Sequence, residues 1–180
     1  MNLNELAKQV HAANEKWWTC MDTGKPIERN KGELLMLVIT ELSEAVEGIR
    51  KDLMDDKLPH RKMEEVEMAD AKIRLLDFAA GFEIGKLNNT CGVDNYFQRC
   101  ENKAECILLI CAAIQSAYNT SFYKGIRCAD NVSRAIQMID FYCDRFQLDL
   151  DGALREKMDY NRSRVDHSHE ARKLAGGKKF

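Results

Sequence analysis

Apolar side chains recur along this chain at intervals of three and four, in long stretches separated by short polar segments. Only two prolines, Pro26 and Pro59, occur in its 180 residues. That interval lines up one face of an α-helix, and runs of β-branched residues, which favour strands, are few. The pattern predicts a first helix from Asn4 to about Met21, ended by the breakers of "DTGKPIERNKG". A long second helix follows from about Gly32 to Asp56. The third begins near Pro59, whose fixed φ and missing N–H suit a first helical position, and runs to about Phe82. The Gly- and Asn-rich stretch "GKLNNTCGVDNYFQRCENK" reads as irregular, with room for one short helical turn. Helix four covers about Ala104 to Tyr123, and Asp130 is placed to cap helix five, which extends to about Phe146. A short sixth helix lies around Gly152 to Asn161. The expected fold is an all-α helical bundle with a four-helix core. It forms one domain over residues 1–164, and a basic, flexible tail occupies 165–180.

Two of these helices break the pattern that defines them. "TELSEAVE" carries Glu41 and Glu44, and "EMADAKIRLLD" carries Glu67 and Asp70, each pair three residues apart. At roughly 100° per residue, Leu34, Leu37, Val38, Ala45 and Gly48 fall within about 60° of Glu41. Glu41 therefore lies within the apolar stripe, Glu44 lies at its edge, and Glu47 points to solvent. On helix three Val66, Ala69, Ile73 and Leu76 define the apolar arc. Asp70 and Asp77 fall in or beside it, Glu67 falls just past its margin, and Glu64 and Glu65 read as exposed charges at the helix start, where negative charge is favourable. Either pair alone is a common feature of solvated helices. Two pairs against apolar stripes, on helices joined by the short "DDKLP" connection, point to antiparallel neighbours that bring the four acids together.

Four converging carboxylates cost several kcal/mol each to desolvate and repel one another, so a positive charge must compensate. Arg74 is a candidate partner for Asp70 or Asp77, and a divalent cation would do more. All-oxygen ligands suit Mg²⁺, with Mn²⁺ as a substitute, rather than zinc. Magnesium usually keeps waters and binds substrate phosphates beside a few carboxylates, so a phosphate-bearing substrate is expected. Lys157 and Asn161 share a helix face, with Arg164 one turn on, which offers a point charge, an amide and a planar fork to phosphate oxygens.

Composition removes other classes. Hydrophobic residues make up 45% and charged residues 31%, ordinary values for a soluble protein. No apolar run reaches the roughly 18 residues of a membrane span. The first residues lack the basic flank and apolar core of a signal peptide, so a cytoplasmic protein without a membrane partner is expected. A net charge of −2 implies no general attraction to polymeric nucleic acid. The seven cysteines show no metal-ligand spacing and read as reduced, packed thiols.

"ELSEAVE" followed by "EVEMADAKIRLLD" resembles the Glu-x-x-Glu … Glu-x-x-Asp signature of the MazG-like, all-α nucleoside triphosphate pyrophosphohydrolases, whose relatives include enzymes acting on dUTP and dCTP. "LREKMDYNRSR" is similar to that family's Lys-x-x-x-Asn-x-x-Arg segment, and "HAANEKWW" loosely resembles the start of its members. The resemblance implies magnesium-dependent conversion of a nucleoside triphosphate and water to a monophosphate and pyrophosphate. It assigns the metal to Glu41, Glu44, Glu67 and Asp70. One of Glu41 and Glu44 would orient or deprotonate the attacking water, and the sequence does not choose between them. Lys157, Asn161 and Arg164 would bind phosphate. His11, Asn14, Trp17 and Trp18 are the candidates for the base, with Arg74 and Asp77 as supports behind the ligands. A homo-oligomer, dimer or tetramer, is implied too. The competing reading is a non-enzymatic helical scaffold whose acids meet a basic partner. A di-iron bundle would need Glu-x-x-His motifs, and the chain has none.

Overall fold

A computed structural model describes residues 2–20, 22–88, 97–122 and 126–164, together with 171 and 173; of 126 and 127 it describes the backbone. The described residues form six α-helices, α1 (Leu3–Ala13), α2 (Lys31–Lys51), α3 (Met63–Gly81), α4 (Lys103–Thr120), α5 (Ile126–Arg145) and α6 (Leu150–Ser163). No strand occurs among them, and the molecule is the all-α bundle that the periodicity predicts. No helix among the described residues is long and apolar enough to cross a membrane. The tail expected at 165–180 lies almost wholly outside the described residues, as does 89–96 of the irregular stretch.

Side-chain caps set several helix starts. Asn2, Asn30, Asn102 and Asp149 each accept a hydrogen bond from a backbone N–H of the first turn of α1, α2, α4 and α6. Other boundaries differ from the sequence reading. Helix α1 stops at Ala13, and a separate 3-10 turn at Glu15–Trp17 follows. Helix α2 ends early because Asp52 turns left-handed, at φ 51°. The buried Asp55 then organises the connection by accepting from the N–H groups of Lys57 at 2.9 Å and Leu58 at 2.6 Å. Pro59 consequently sits in that loop, and α3 starts four residues later, at Met63. Asp130 is no cap either. It lies inside α5 and accepts from the Asn88 side chain at 2.8 Å.

Helix α3 is the axis of the bundle and packs against α1, α2, α5 and α6, while α4 packs on α5 and α2. Gly48 lies against Met63 and the start of α3, and Arg74 of α3 reaches Glu41. Helices α2 and α3 are therefore antiparallel. Because it is enclosed on several sides, α3 buries residues around most of its circumference, including Glu64 and Glu67. This corrects two expectations. Glu67 is not marginal but 5% exposed. Glu64, expected as a solvated first-turn acid, accepts hydrogen bonds from Tyr142 Oη and, at 2.7 Å, from Lys103 Nζ. Its neighbour Glu65 is also engaged, by Arg61 and by the N–H of Asp149.

The Glu64–Tyr142–Lys103 contact ties α3, α5 and α4 together in the interior, where Tyr142 is fully buried and burial raises its hydroxyl pKa. Tyr142→Phe removes a donor from a buried carboxylate. It is expected to cost about 1.5–3 kcal/mol of stability, read by urea unfolding with an unchanged m-value. A cost below about 0.5 kcal/mol would show that Lys103 satisfies Glu64 alone.

Candidate functional site

A cavity of about 510 Å³ opens between α2, α3, α6 and the segment joining α1 to α2. Its long axis follows from the antiparallel pair. At one end lie Glu41 and Glu44 from α2 with Glu67 and Asp70 from α3. Toward the N-terminus of α2 and the C-terminus of α3 the lining becomes Leu34, Leu37, Ile73, Phe78, Trp17 and Trp18. Asp77 follows Asp70 by seven residues, so this second end lies about 10 Å further along the helix.

Carboxylate oxygens of Glu41, Glu67 and Asp70 all lie within 4.8 Å of one another. Glu41 sits where the buried arc of α2, which includes Val38, Leu42 and Ala45, meets the cavity wall. Glu44, one turn on, is exposed at the cavity mouth and stands outside that cluster. The expected four acids are thus a buried three with Glu44 beside them.

Two cations reach the cluster. Arg74 donates to Glu41, not to Asp70 or Asp77 as expected, because its long side chain crosses to the facing helix. Lys157 Nζ lies 2.9 Å from Asp70, and both side chains are largely buried, at 5% and 15% exposure. Burial works against the Lys157 charge, but Asp70 and Glu67 outweigh it and raise its pKa. The acids remain strained electrostatically. Burial, with the charges of Asp70 and Glu41, pushes Glu67 up to about 9. Burial also raises Asp70 against the pull of Lys157, and raises Glu44, with added repulsion from Glu41 and Asp70.

Helix α6 supplies the basic wall. Lys157, Asn161 and Arg164 all line the cavity, joined by Lys57 from the α2–α3 loop. The α6 backbone is held there by Lys16, which donates to the carbonyl of Asn161 at 3.2 Å. The adjacent Glu156 is clamped by Arg61 and, at 2.7 Å, by His60.

The far end is organised by Asp77. It accepts from Asn14 Nδ2 at 3.1 Å and from Trp18 Nε1 at 3.0 Å, and it lies 2.7 Å from His11 Nδ1. The Asp77 hydrogen bond raises the His11 pKa. Trp18 packs edge-on against Phe82 and lies so close to Gly81 that a Cβ there would clash with its ring. Of the four base-pocket candidates, Asn14, Trp17 and Trp18 line the cavity, whereas His11 sits behind Asp77 as a support. Arg29 and Lys57, which also line the cavity, come from loops where no periodicity marked them.

Three polar atoms of this cavity's lining side chains are buried without a hydrogen bond: Glu67 Oε2, Asn161 Oδ1 and Arg29 Nη2. Such atoms are rare in folded proteins and costly, and three of them gather in this one cavity. No protein-family model, curated protein or solved structure matches this chain.

Proposed function

We propose that the chain is a magnesium-dependent nucleoside triphosphate pyrophosphohydrolase, converting a nucleoside triphosphate and water to the monophosphate and pyrophosphate. The observation that carries this reading is one cavity holding a buried three-acid cluster, a basic wall and, about 10 Å away, an aromatic end. Acids faced by basic residues, with aromatic rings further along the cavity, match the phosphates and base of a nucleotide. The resemblance of the acid pairs and of Lys157, Asn161 and Arg164 to the MazG-like signature agrees with it.

The residues fit a hard divalent cation: the donors are all oxygen, and Glu67 Oε2 has no hydrogen bond. Glu41, Glu67 and Asp70 would hold the ion, with Glu44 at its margin. When bound, magnesium would neutralise phosphate oxygens and the charge that develops on departing pyrophosphate. Lys157, Asn161, Arg164 and Lys57 bind and orient the triphosphate from the opposite wall. Arg74 holds Glu41, whereas Glu44 stands at the mouth with a raised pKa, so Glu44 is assigned as the general base. It takes a proton from the water whose oxygen attacks the α-phosphorus, and the bond to the β-phosphate oxygen breaks.

A scaffold reading has one observation in its favour, since Arg74 and Lys157 already offset Glu41 and Asp70. It leaves Glu67 Oε2 and Asn161 Oδ1 buried in the cavity without a hydrogen bond.

The deciding experiment is a panel of nucleoside triphosphates and diphosphates with magnesium, scored for pyrophosphate against orthophosphate. Pyrophosphate from at least one triphosphate is expected; orthophosphate alone, or neither product, would refute the proposal. A pH dependence follows as well. An acid raised to about 9 is mostly protonated at neutral pH, and a metal ligand must be ionised. Metal binding at pH 7 is therefore expected to release about one proton, and affinity should climb with pH up to about 9. Calorimetry in buffers of different ionisation enthalpy measures the release. Identical heats in all buffers would contradict it.

A further inference from the structure

Arg29 is a half-buried group that neither the acid cluster nor the phosphate wall uses. It precedes Asn30, the cap of α2, and lines the cavity at the aromatic end. Its Nη2 is buried without a hydrogen bond. Burial lowers its pKa, and the charges acting on it are Glu33 and Asp77, both of which lie well away from the acid cluster along α2 and α3. One nitrogen of the guanidinium is thus held out of water beside an apolar wall, with nothing to donate to.

We propose that Arg29 selects the nucleobase, favouring bases that carry a carbonyl oxygen on the edge remote from the sugar. This rests on the pyrophosphohydrolase reading. With the phosphates against the acids and α6, the base points toward Trp18 and Phe78, and its edge furthest from the glycosidic bond reaches the Arg29 end. That edge carries O4 in uracil and thymine and O6 in guanine, but an amino group in cytosine and adenine. A guanidinium has donors only. It satisfies a carbonyl, whereas an amino group would face it donor to donor and leave both buried and unpaired. Asp77 supports the same selection by taking the Asn14 amide N–H and fixing its orientation, so that the end of the cavity has a set arrangement of donors and acceptors.

The test compares kcat/KM for pyrophosphate release from UTP, CTP, GTP and ATP and their deoxy forms, in the wild type, R29Q and R29K, with thermal melting of each. The wild type is expected to favour the carbonyl-bearing member of each pair, UTP over CTP and GTP over ATP, by about 100-fold or more. In R29Q, whose amide can offer either a donor or an acceptor, the ratio should collapse to within about 10-fold. R29K, still donor-only, should keep its direction. A wild-type enzyme indifferent to the amino group, an unchanged ratio in R29Q, a reversed preference in R29K, or an R29Q protein that does not fold would each overturn the assignment. Pyrophosphate from no nucleotide would instead refute the underlying function.

Discussion

Replacing Glu67 by glutamine is expected to lower pyrophosphate release by about 10²–10³-fold while making the metal-free protein more stable at neutral pH. Both effects come from the same burial. Glu67 is 5% exposed, faces Glu41 and Asp70, and has a pKa raised from 4.5 to about 9. A carboxyl with a raised folded-state pKa contributes stability that is complete below its unfolded value and fades as pH rises toward the folded one. Between about 4.5 and 9 the unfolded chain releases a proton that the folded protein retains. Each pH unit in that window removes up to about 1.4 kcal/mol. Glutamine keeps the shape and the neutrality and has nothing to titrate. The advantage of Glu67→Gln should therefore be absent near pH 4 and grow steadily to pH 9, read as a difference in melting temperature without metal. Magnesium should reverse the order by stabilising the wild type alone. A variant less stable than the wild type at pH 8 without metal would show that Glu67 is ionised and internally paired, and would remove the argument for a cation.

Lys157→Met is expected to act in the opposite sense on stability. Its ammonium lies 2.9 Å from Asp70 in a largely buried contact. Removing one partner of such a pair typically costs about 3–5 kcal/mol, because the other charge stays behind in a poor solvent. For a chain of this length that is a fall of roughly 10 °C in melting temperature. Acid should relieve part of the loss by protonating Asp70, and magnesium should relieve more. With saturating metal the fold is expected to recover while KM for the triphosphate stays elevated, since the phosphate has lost a contact on α6. Recovery of both stability and KM would confine Lys157 to a structural role.

The two acid pairs were legible because helical geometry is strict: residues three and four apart must share a face, and Glu41 and Asp70 had apolar neighbours on theirs. The depth of Glu67 was not, since a helical wheel supposes one buried side, and α3 is enclosed by four other helices. Glu64 followed a sound local rule, acids in the first turn, which a distant tyrosine and lysine overrode. The partner of Arg74 depended on the reach of a long side chain across a helix pair. Asp55, not Pro59, set the start of α3, through hydrogen bonds no periodicity encodes. Arg29 and Lys57 sit on connections, where only the folded chain shows what they approach.

Each of the outcomes expected with magnesium requires that Glu41, Glu67 and Asp70 hold a cation. Titrating Mn²⁺ into the metal-free protein at pH 8, with free ion counted by electron paramagnetic resonance, tests it without reference to any substrate. Saturable binding of at least one ion, weakened about 10-fold or more in Glu67→Gln and in Asp70→Asn, is the result expected. Binding no tighter than to a control helical protein, or equal in the wild type and both variants, would contradict it.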